Sequence, residues 1–256
     1  MNVAVKRFWE VDALRGLAIV MMVLFHLVYD LNFWGLWRVD LYSGFWWFFP
    51  RAIAGTFILL VGVSLTLSLA RATHTAGGRL YLRYLRRGLR VLSWGLVITA
   101  VTWLFYRSGF VVFGILHFIG VAIILAYPFL KLRYWNLLLG VALVVVGVYL
   151  EGWSVETSWL FWLGLRPLHF QSVDYFPLIP WFGVVLVGVF LGNTLYAGYT
   201  RRFPLPDVST SALVRWLGFL GRHSLLIYLT HQPILVTLTG LVFWARVGWA
   251  MAGPRQ

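Results

Sequence analysis

The sequence contains no cysteine, and charged residues make up only 11% of its 256 positions. The absence of cysteine excludes a disulfide framework, a thiolate nucleophile and a metal site with cysteine ligands. A soluble domain carries about 25% charged residues. This low charge content, together with 61% hydrophobic residues and a mean hydropathy of +0.83, predicts a polytopic membrane protein.

Long apolar stretches recur along the chain, and a helix of about 20 apolar residues is enough to cross a bilayer. We predict an all-α polytopic membrane protein, a bundle of about seven transmembrane helices at 11–31, 45–69, 89–106, 110–130, 134–150, 178–195 and 224–244. Residues 207–221 place leucine and tryptophan at helical spacing beside arginines, which predicts one further amphipathic helix on the cytoplasmic face. No internal repeat is evident, so residues 1–256 are predicted to form a single transmembrane domain.

The basic residues are distributed unequally between the two sets of loops. Fifteen of the 21 lysines and arginines fall on the side that carries the N-terminus, and six fall on the other side. Cytoplasmic loops carry the excess of positive charge. We therefore expect a multi-pass protein of the inner (plasma) membrane with a cytoplasmic N-terminus and an outer C-terminus. The same distribution explains the net charge of +13 without a nucleic-acid partner.

The first predicted span carries four ionisable residues, Asp12, Arg15, His26 and Asp30. Ionisable groups inside a membrane helix are costly, and they usually face the bundle interior and serve a function. Arg15 and His26 are eleven residues apart, which places them within about 20° of the same helix face. Asp30 lies one turn beyond His26 and is placed to orient its ring. A hydrogen-bonded structural histidine and a snorkelling Asp12–Arg15 pair are the alternatives.

Other polar residues lie within or beside the apolar stretches. His117 and His231 fall inside predicted spans, and Asp174 opens the sixth. Three intramembrane histidines would suit a metal or haem, but the sequence has no His-x3-His, CxxCH or glutamate-rich motif, so we predict no bound metal. A structural hydrogen bond is the alternative for each histidine.

Two surface features have two interpretations each. Arg79, Arg83, Arg86, Arg87 and Arg90 form a dense basic cluster that is either a topology signal or a phosphate clamp, because arginine binds phosphate through its planar fork. Nine aromatic residues crowd positions 33–49. They are typical of the aromatic belt at a membrane interface, and a platform for stacking a sugar is the other interpretation.

Several segments together resemble a known family. The first predicted span contains Arg15-x10-His26, with Arg15 in the segment DALRG. This pattern resembles the transmembrane acyltransferases that modify bacterial surface sugars. FWEVDALRGLAIVMMVLFHLVYDL, GILHFIG, DYFPLIPWFGVVLVGVFLG and GRHSLLIYLTHQP are together similar to bacterial membrane proteins related to heparan-α-glucosaminide N-acetyltransferase. In the animal enzyme the catalytic histidine is placed in the loop after the first span, whereas residues 32–50 here contain no histidine.

The resemblance implies transfer of an acetyl group from cytosolic acetyl-CoA to a hydroxyl or amine, of a sugar-like acceptor, at or beyond the outer membrane face. His26 would be the general base, oriented by Asp30, and His117 would orient the acceptor or the carbonyl. Direct transfer and an acetyl-histidine intermediate both remain open. The expected donor-binding residues are Arg15, Arg83, Arg86, Arg87, Arg90 and His231, and the expected acceptor-binding residues are Asp174, Trp34 and Arg51.

Two other functions compete with acyl transfer. Buried histidine and aspartate also serve proton relays, so a proton-coupled transporter is one alternative, although no pair of broken helices in matching halves is evident. A non-catalytic membrane partner subunit is the other. The expected partners are acetyl-CoA, the acceptor and the lipid bilayer, and the sequence leaves an oligomer, such as a dimer, open.

Overall fold

Helices dominate the computed structural model, which describes residues 7–72 and 80–252. The described residues form α1 (Trp9–Phe33), α2 (Gly44–Ala72), α3 (Leu80–Phe105), α4 (Ile115–Leu125), α5 (Tyr134–Leu150), α6 (Leu178–Leu195), α7 (Ala212–Arg222) and α8 (Ser224–Ala252). Short 3-10 helices occur at Tyr127–Lys131, Ser158–Leu163 and Ala197–Tyr199. Two parallel strands of two residues each, β1 (Ser154–Val155) and β2 (Arg166–Pro167), complete the described elements.

The predicted fold class, an all-α polytopic membrane protein, is confirmed. Five helices, α1, α2, α3, α6 and α8, are long and apolar enough to cross a membrane. The other two predicted spans correspond to α4 and α5, which are shorter apolar helices. The amphipathic segment is also helical and forms α7. Hydrophobic periodicity and length therefore indicated the approximate position of each described α-helix, because these signals are local.

The predicted boundaries of the fourth span, 110–130, are wrong. Only Ile115–Leu125 is α-helical, and Tyr127–Lys131 continues as a 3-10 helix with Pro128 in its first turn. Proline lacks the N–H that an α-helix interior requires and disfavours the α conformation in the residue before it. Residues 109–113 are instead paired with 173–176: the Val173 amide donates to Gly109 at 2.9 Å, and the Phe176 amide donates to Phe113 at 2.9 Å.

The third span begins earlier than the sequence predicts. Helix α3 starts at Leu80, not at residue 89, and it includes four of the clustered arginines. Arginine has a high helix propensity, so a basic stretch adjoining an apolar helix extends that helix. The fifth arginine of the cluster, Arg79, lies outside the described residues.

The chain divides into two compact units, and the first comprises Met1–Phe57 and Pro206–Gln256. Within it, α1 packs against α7 and α8. A hydrophobic cluster of Ile19 and Met22 from α1 with Ile53 from α2 lies among partly buried aromatic and aliphatic side chains. This packing holds the polar residues of α1 beside those of α8.

Glycines allow α7 to lie directly against the first half of α1. A Cβ atom on Gly16 of α1 would meet the carbonyl of Leu217, and one on Gly221 of α7 would meet the carbonyl of Asp12. Small residues at helix contacts let the backbones approach in this way. The opposite side of α7 exposes Leu213, Trp216 and Phe219. An exposed apolar face on a short amphipathic helix agrees with the prediction that it lies at the membrane interface.

The second unit comprises Ile58–Leu205. Here α3 packs against α4 and α5 packs against α6. The latter pair meets at glycines, since a Cβ on Gly140 would lie 2.8 Å from the carbonyl oxygen of Gly183. The segment between α5 and α6 folds on itself: the Tyr175 hydroxyl donates to the Phe161 carbonyl at 2.6 Å. Burial raises the pKa of this phenol, which keeps it a neutral donor.

Candidate functional site

Two histidines of the first unit lie side by side. The ring centroids of His26 on α1 and His231 on α8 are 4.8 Å apart, in an edge-to-face arrangement. The sequence predicts a catalytic role for His26 and a donor-binding role for His231. Their proximity brings together two residues that are 205 positions apart in the sequence, and we call them the histidine pair.

Each ring of the histidine pair is bonded to a backbone carbonyl of its own helix. Nδ1 of His26 lies 2.9 Å from the carbonyl oxygen of Met22, and Nδ1 of His231 lies 2.7 Å from that of Tyr228. A carbonyl oxygen only accepts, so each Nδ1 carries the proton and donates it. In a neutral imidazole the other nitrogen, Nε2, is then an unprotonated acceptor.

Nε2 of His231 is buried and has no hydrogen-bond partner among the described residues. The whole side chain is only 8% exposed. A buried acceptor left without a donor costs about 1–3 kcal/mol. The fold therefore retains an unsatisfied basic nitrogen next to His26.

Asp30 is bonded to α8 and not to His26. Its Oδ1 accepts a 2.9 Å hydrogen bond from Nε2 of Gln232, and Oδ2 has no partner among the described residues. The expectation that Asp30 orients the His26 ring is therefore wrong, because the Met22 carbonyl takes that position. Asp30 is only 3% exposed, so it remains a buried carboxyl group one helical turn from His26.

Arg15 forms an ion pair with Asp12 one turn before it on α1, with 3.0 Å between Nη1 and Oδ1. Both side chains are largely buried, at 21% and 11% exposure. This ion pair matches the structural alternative to a functional role that the sequence suggests for Asp12 and Arg15. The expected role of Arg15 in holding donor phosphates would require the guanidinium to serve Asp12 and a ligand together.

Both ring nitrogens of His117 are occupied by protein groups of the second unit. Its Nδ1 accepts from the Gly114 amide at 3.2 Å, so Nε2 carries the proton and donates to the Thr99 hydroxyl at 3.1 Å. That hydroxyl in turn donates to the Val111 carbonyl at 2.7 Å. These bonds fasten residues 111–117 to α3, and a ring that uses both nitrogens structurally is a poor general base. We therefore do not retain His117 among the catalytic residues.

Asp174 caps the start of α4. Its Oδ2 accepts from the amide of Ile115 at 3.0 Å, one of the amides that the first turn of a helix leaves unpaired. A Cβ on the neighbouring Gly114 would collide with this carboxylate. The expected acceptor-binding role gives way to a structural one, since the carboxylate satisfies the helix terminus.

The aromatic segment 33–49 is largely exposed on its outer surface, including Phe33, Tyr42, Phe45 and Phe48. Trp34 instead stacks on Phe243 of α8 at 5.1 Å between ring centroids. Arg51 donates to the Trp47 carbonyl at 2.6 Å and lies over the Trp47 ring. Exposed aromatics of this kind fit the membrane-interface belt better than a sugar platform, and the acceptor-binding roles of Trp34 and Arg51 stay predictions.

Four arginines form one exposed face in the first three turns of α3. Arg83, Arg86, Arg87 and Arg90 recur at intervals of three and four residues and are all exposed. Residues at this spacing are neighbours on a helix surface. We call this set the arginine face, and its geometry suits a multiply charged anion.

Gln232 and Thr99 are the polar residues that sequence reasoning missed. Gln232 follows His231 in an apolar segment. A carboxamide in such a segment indicates a buried polar contact, just as a charged residue does. Thr99 offered no such signal, because a lone threonine in an apolar helix usually bonds to its own backbone. Among residues 7–72 and 80–252, no group of three or more His, Cys, Asp or Glu could hold a metal ion.

Comparison with known proteins gives one family. The family model described as heparan-alpha-glucosaminide N-acetyltransferase, catalytic, matches residues 7–233, a range that includes both members of the histidine pair and the arginine face. No curated protein and no solved structure matches the chain. The family match and the apolar helices support an acetyltransferase embedded in a membrane. The chain belongs to the family defined by the catalytic region of heparan-alpha-glucosaminide N-acetyltransferase.

Proposed function

We propose that the protein transfers an acetyl group from cytosolic acetyl-CoA to a hydroxyl or amine of a sugar-like acceptor at or beyond the outer membrane face. The family supports acetyl transfer, and the excess of basic residues on the N-terminal side supports a cytoplasmic entry for the donor. The acceptor class rests on the resemblance to acyltransferases that modify surface sugars.

The observation that carries the proposal is the unprotonated Nε2 of His26. The Met22 carbonyl fixes the tautomer, so this nitrogen is ready to take the proton of an attacking hydroxyl or amine. General base catalysis by a positioned imidazole contributes about 10²–10⁴-fold to a rate. The base acts as the acceptor atom attacks the thioester carbon and coenzyme A leaves.

The donor carries a pyrophosphate and a 3′-phosphate, and the arginine face is the group of cations that we assign to them. Arg83, Arg86, Arg87 and Arg90 are exposed on one side of α3. Guanidinium groups bind phosphate bidentately and more specifically than ammonium groups. Binding there would hold the nucleotide part of the donor at the cytoplasmic end of the helix.

Radiolabelled acetyl-CoA tests the proposal. The purified protein in lipid vesicles is incubated with acetyl-labelled donor and with amino sugars or neutral oligosaccharides. We expect label in the acceptor and release of free coenzyme A in equal amounts. Hydrolysis of the donor without acceptor labelling, or no consumption of donor with any acceptor, would contradict acetyl transfer. Uptake of acceptor into vesicles in the absence of acetyl-CoA would instead support the transporter alternative.

A further inference from the structure

The histidine pair contains more basic nitrogens than a single general base requires. His26 and His231 have their Nδ1 atoms bonded to the carbonyls of Met22 and Tyr228. In both rings Nε2 is therefore the unprotonated nitrogen, and neither neutral ring can donate a hydrogen bond from Nε2 to the other. A hydrogen bond between the two Nε2 atoms would therefore need one additional proton on the histidine pair.

We propose that His231 is a second catalytic residue, which receives the proton from His26 and delivers it to the leaving thiolate of coenzyme A. The inference rests on the acetyl transfer proposed above, and it replaces the donor-binding role that the sequence suggests for His231. The ring centroids are 4.8 Å apart and Nε2 of His231 has no hydrogen-bond partner among the described residues, so the proposed proton transfer between the two rings uses one bridging water.

The proposed reaction balances without any further reactant. The acceptor heteroatom forms a bond to the thioester carbon, and its proton moves to Nε2 of His26. The carbon–sulfur bond breaks, and coenzyme A leaves as a thiolate. The proton passes from Nε2 of His26 to Nε2 of His231 and then to the sulfur, so that both imidazoles return to their neutral state.

A polar contact between α1 and α8 adjoins the histidine pair. Asp30 lies one turn from His26, is 3% exposed, and has one oxygen without a partner among the described residues. Gln232, next to His231, donates to the other carboxylate oxygen at 2.9 Å. Gln232 thereby fixes α8 against α1, and we regard it as a positioning residue for His231.

His231→Asn is the variant that tests this role. Asparagine can accept and donate hydrogen bonds but cannot carry a proton between two partners. We expect acetyl transfer to fall by about 10²–10⁴-fold, with acetyl-CoA affinity and melting temperature close to those of the wild type. Imidazole added to His231→Ala should restore part of the rate, which a structural role would not allow.

His223→Asn is the matched control. His223 immediately precedes α8, and its Nδ1 bonds to the Phe219 carbonyl at 2.9 Å, but its side chain is exposed. This variant should transfer acetyl groups at the wild-type rate. The double variant His26→Asn with His231→Asn should be no slower than the slower single variant, because residues that act as one unit are not additive.

The outcomes separate the inference from the proposed function. We call the proposed proton transfer from His26 through His231 to the sulfur the relay. If the wild type and His223→Asn are active and His231→Asn is equally active, the relay is overturned and acetyl transfer stands. If His231→Asn loses acetyl-CoA affinity but keeps its rate at saturating donor, His231 binds the donor and the relay is again overturned. If His231→Asn is destabilised and imidazole does not restore the rate of His231→Ala, the relay is also rejected. An inactive wild type overturns both proposals.

Discussion

At the scale of single residues, backbone groups decide what each histidine can do. Nδ1 of His26 donates to a carbonyl, whereas Nδ1 of His117 accepts from an amide. The same side chain therefore has an open basic nitrogen in one place and none in the other. The chemistry assigned to His26 depends on this difference more than on its position in an apolar helix.

His26→Asn should abolish acetyl transfer and leave the protein folded. Asparagine can hydrogen-bond the acceptor but cannot take its proton, so we expect a loss of about 10²–10⁴-fold in rate. The measurements are transfer of labelled acetyl groups, acetyl-CoA affinity by calorimetry, and melting temperature. Asp30→Asn should have an intermediate rate, because the ring keeps its tautomer through Met22 and loses only a neighbouring carboxylate. An active His26→Asn protein would end the role of His26 as the base.

At the scale of elements, the contact of α7 with α1 depends on the absence of side chains. The Cβ of an alanine at Gly221 would meet the Asp12 carbonyl, which is backbone and cannot move aside. Gly218, one turn earlier on α7, would meet only the Nη1 tip of Arg222 at 3.3 Å. Two buried glycines of the same short helix thus differ in what surrounds them.

Gly221→Ala should destabilise the protein by about 1–3 kcal/mol, the usual effect of overpacking. Gly218→Ala is the matched control, and it should be neutral or stabilise the helix by about 0.5–1 kcal/mol, because alanine has the higher helix propensity. Thermal unfolding in detergent, followed by circular dichroism, measures both. Equal melting temperatures for the two variants would show that α7 does not pack on α1 in solution.

The arginine face on α3 should bind the donor. We expect Arg86→Ala and Arg87→Ala each to weaken acetyl-CoA binding by about 1–3 kcal/mol, the value of a hydrogen bond to a charged group. Calorimetry with acetyl-CoA measures this loss. Arg107→Ala is the control, since Arg107 follows the opposite end of α3, where it lies over the Trp103 ring at 4.9 Å. Unchanged affinity in both variants would leave the cluster as a topology signal alone.

At the scale of the whole molecule, charge is expected to set the orientation in the membrane. The helices are nearly uniform in their apolar character, so the loops carry the information about sidedness. In the predicted topology, fifteen basic residues lie on the side of the membrane that carries the N-terminus and six lie on the other side. This asymmetry acts during insertion, before the helices pack.

Single cysteines test this orientation, because the natural sequence has none. Thr75, between α2 and α3, lies outside the described residues. We choose Thr210→Cys, before α7, and Ser158→Cys, between α5 and α6, both exposed. An impermeant thiol reagent added outside intact cells should label Ser158→Cys, whereas Thr210→Cys should react only after permeabilisation. Labelling of both from outside would refute the predicted orientation.

The sequence by itself determined the fold class, the approximate position of each described α-helix and the family, and it predicted the role of His26. Apolar length, helical periodicity and buried charge are local properties, and they can be read from a single stretch of chain. The same locality explains the errors. The shortening of the fourth span depends on residues 173–176, which bond to 109–113 from elsewhere in the sequence.

Only the tertiary structure decided which polar groups meet. It replaced the pair of His26 with Asp30 by the pair of His26 with His231, 205 positions away, and it gave Asp30 to Gln232. It also used both nitrogens of His117 for bonds to Gly114 and Thr99. The physical reason is that a hydrogen bond is short and directional, so partners depend on how helices pack, and spacing within one helix cannot reveal a partner on another.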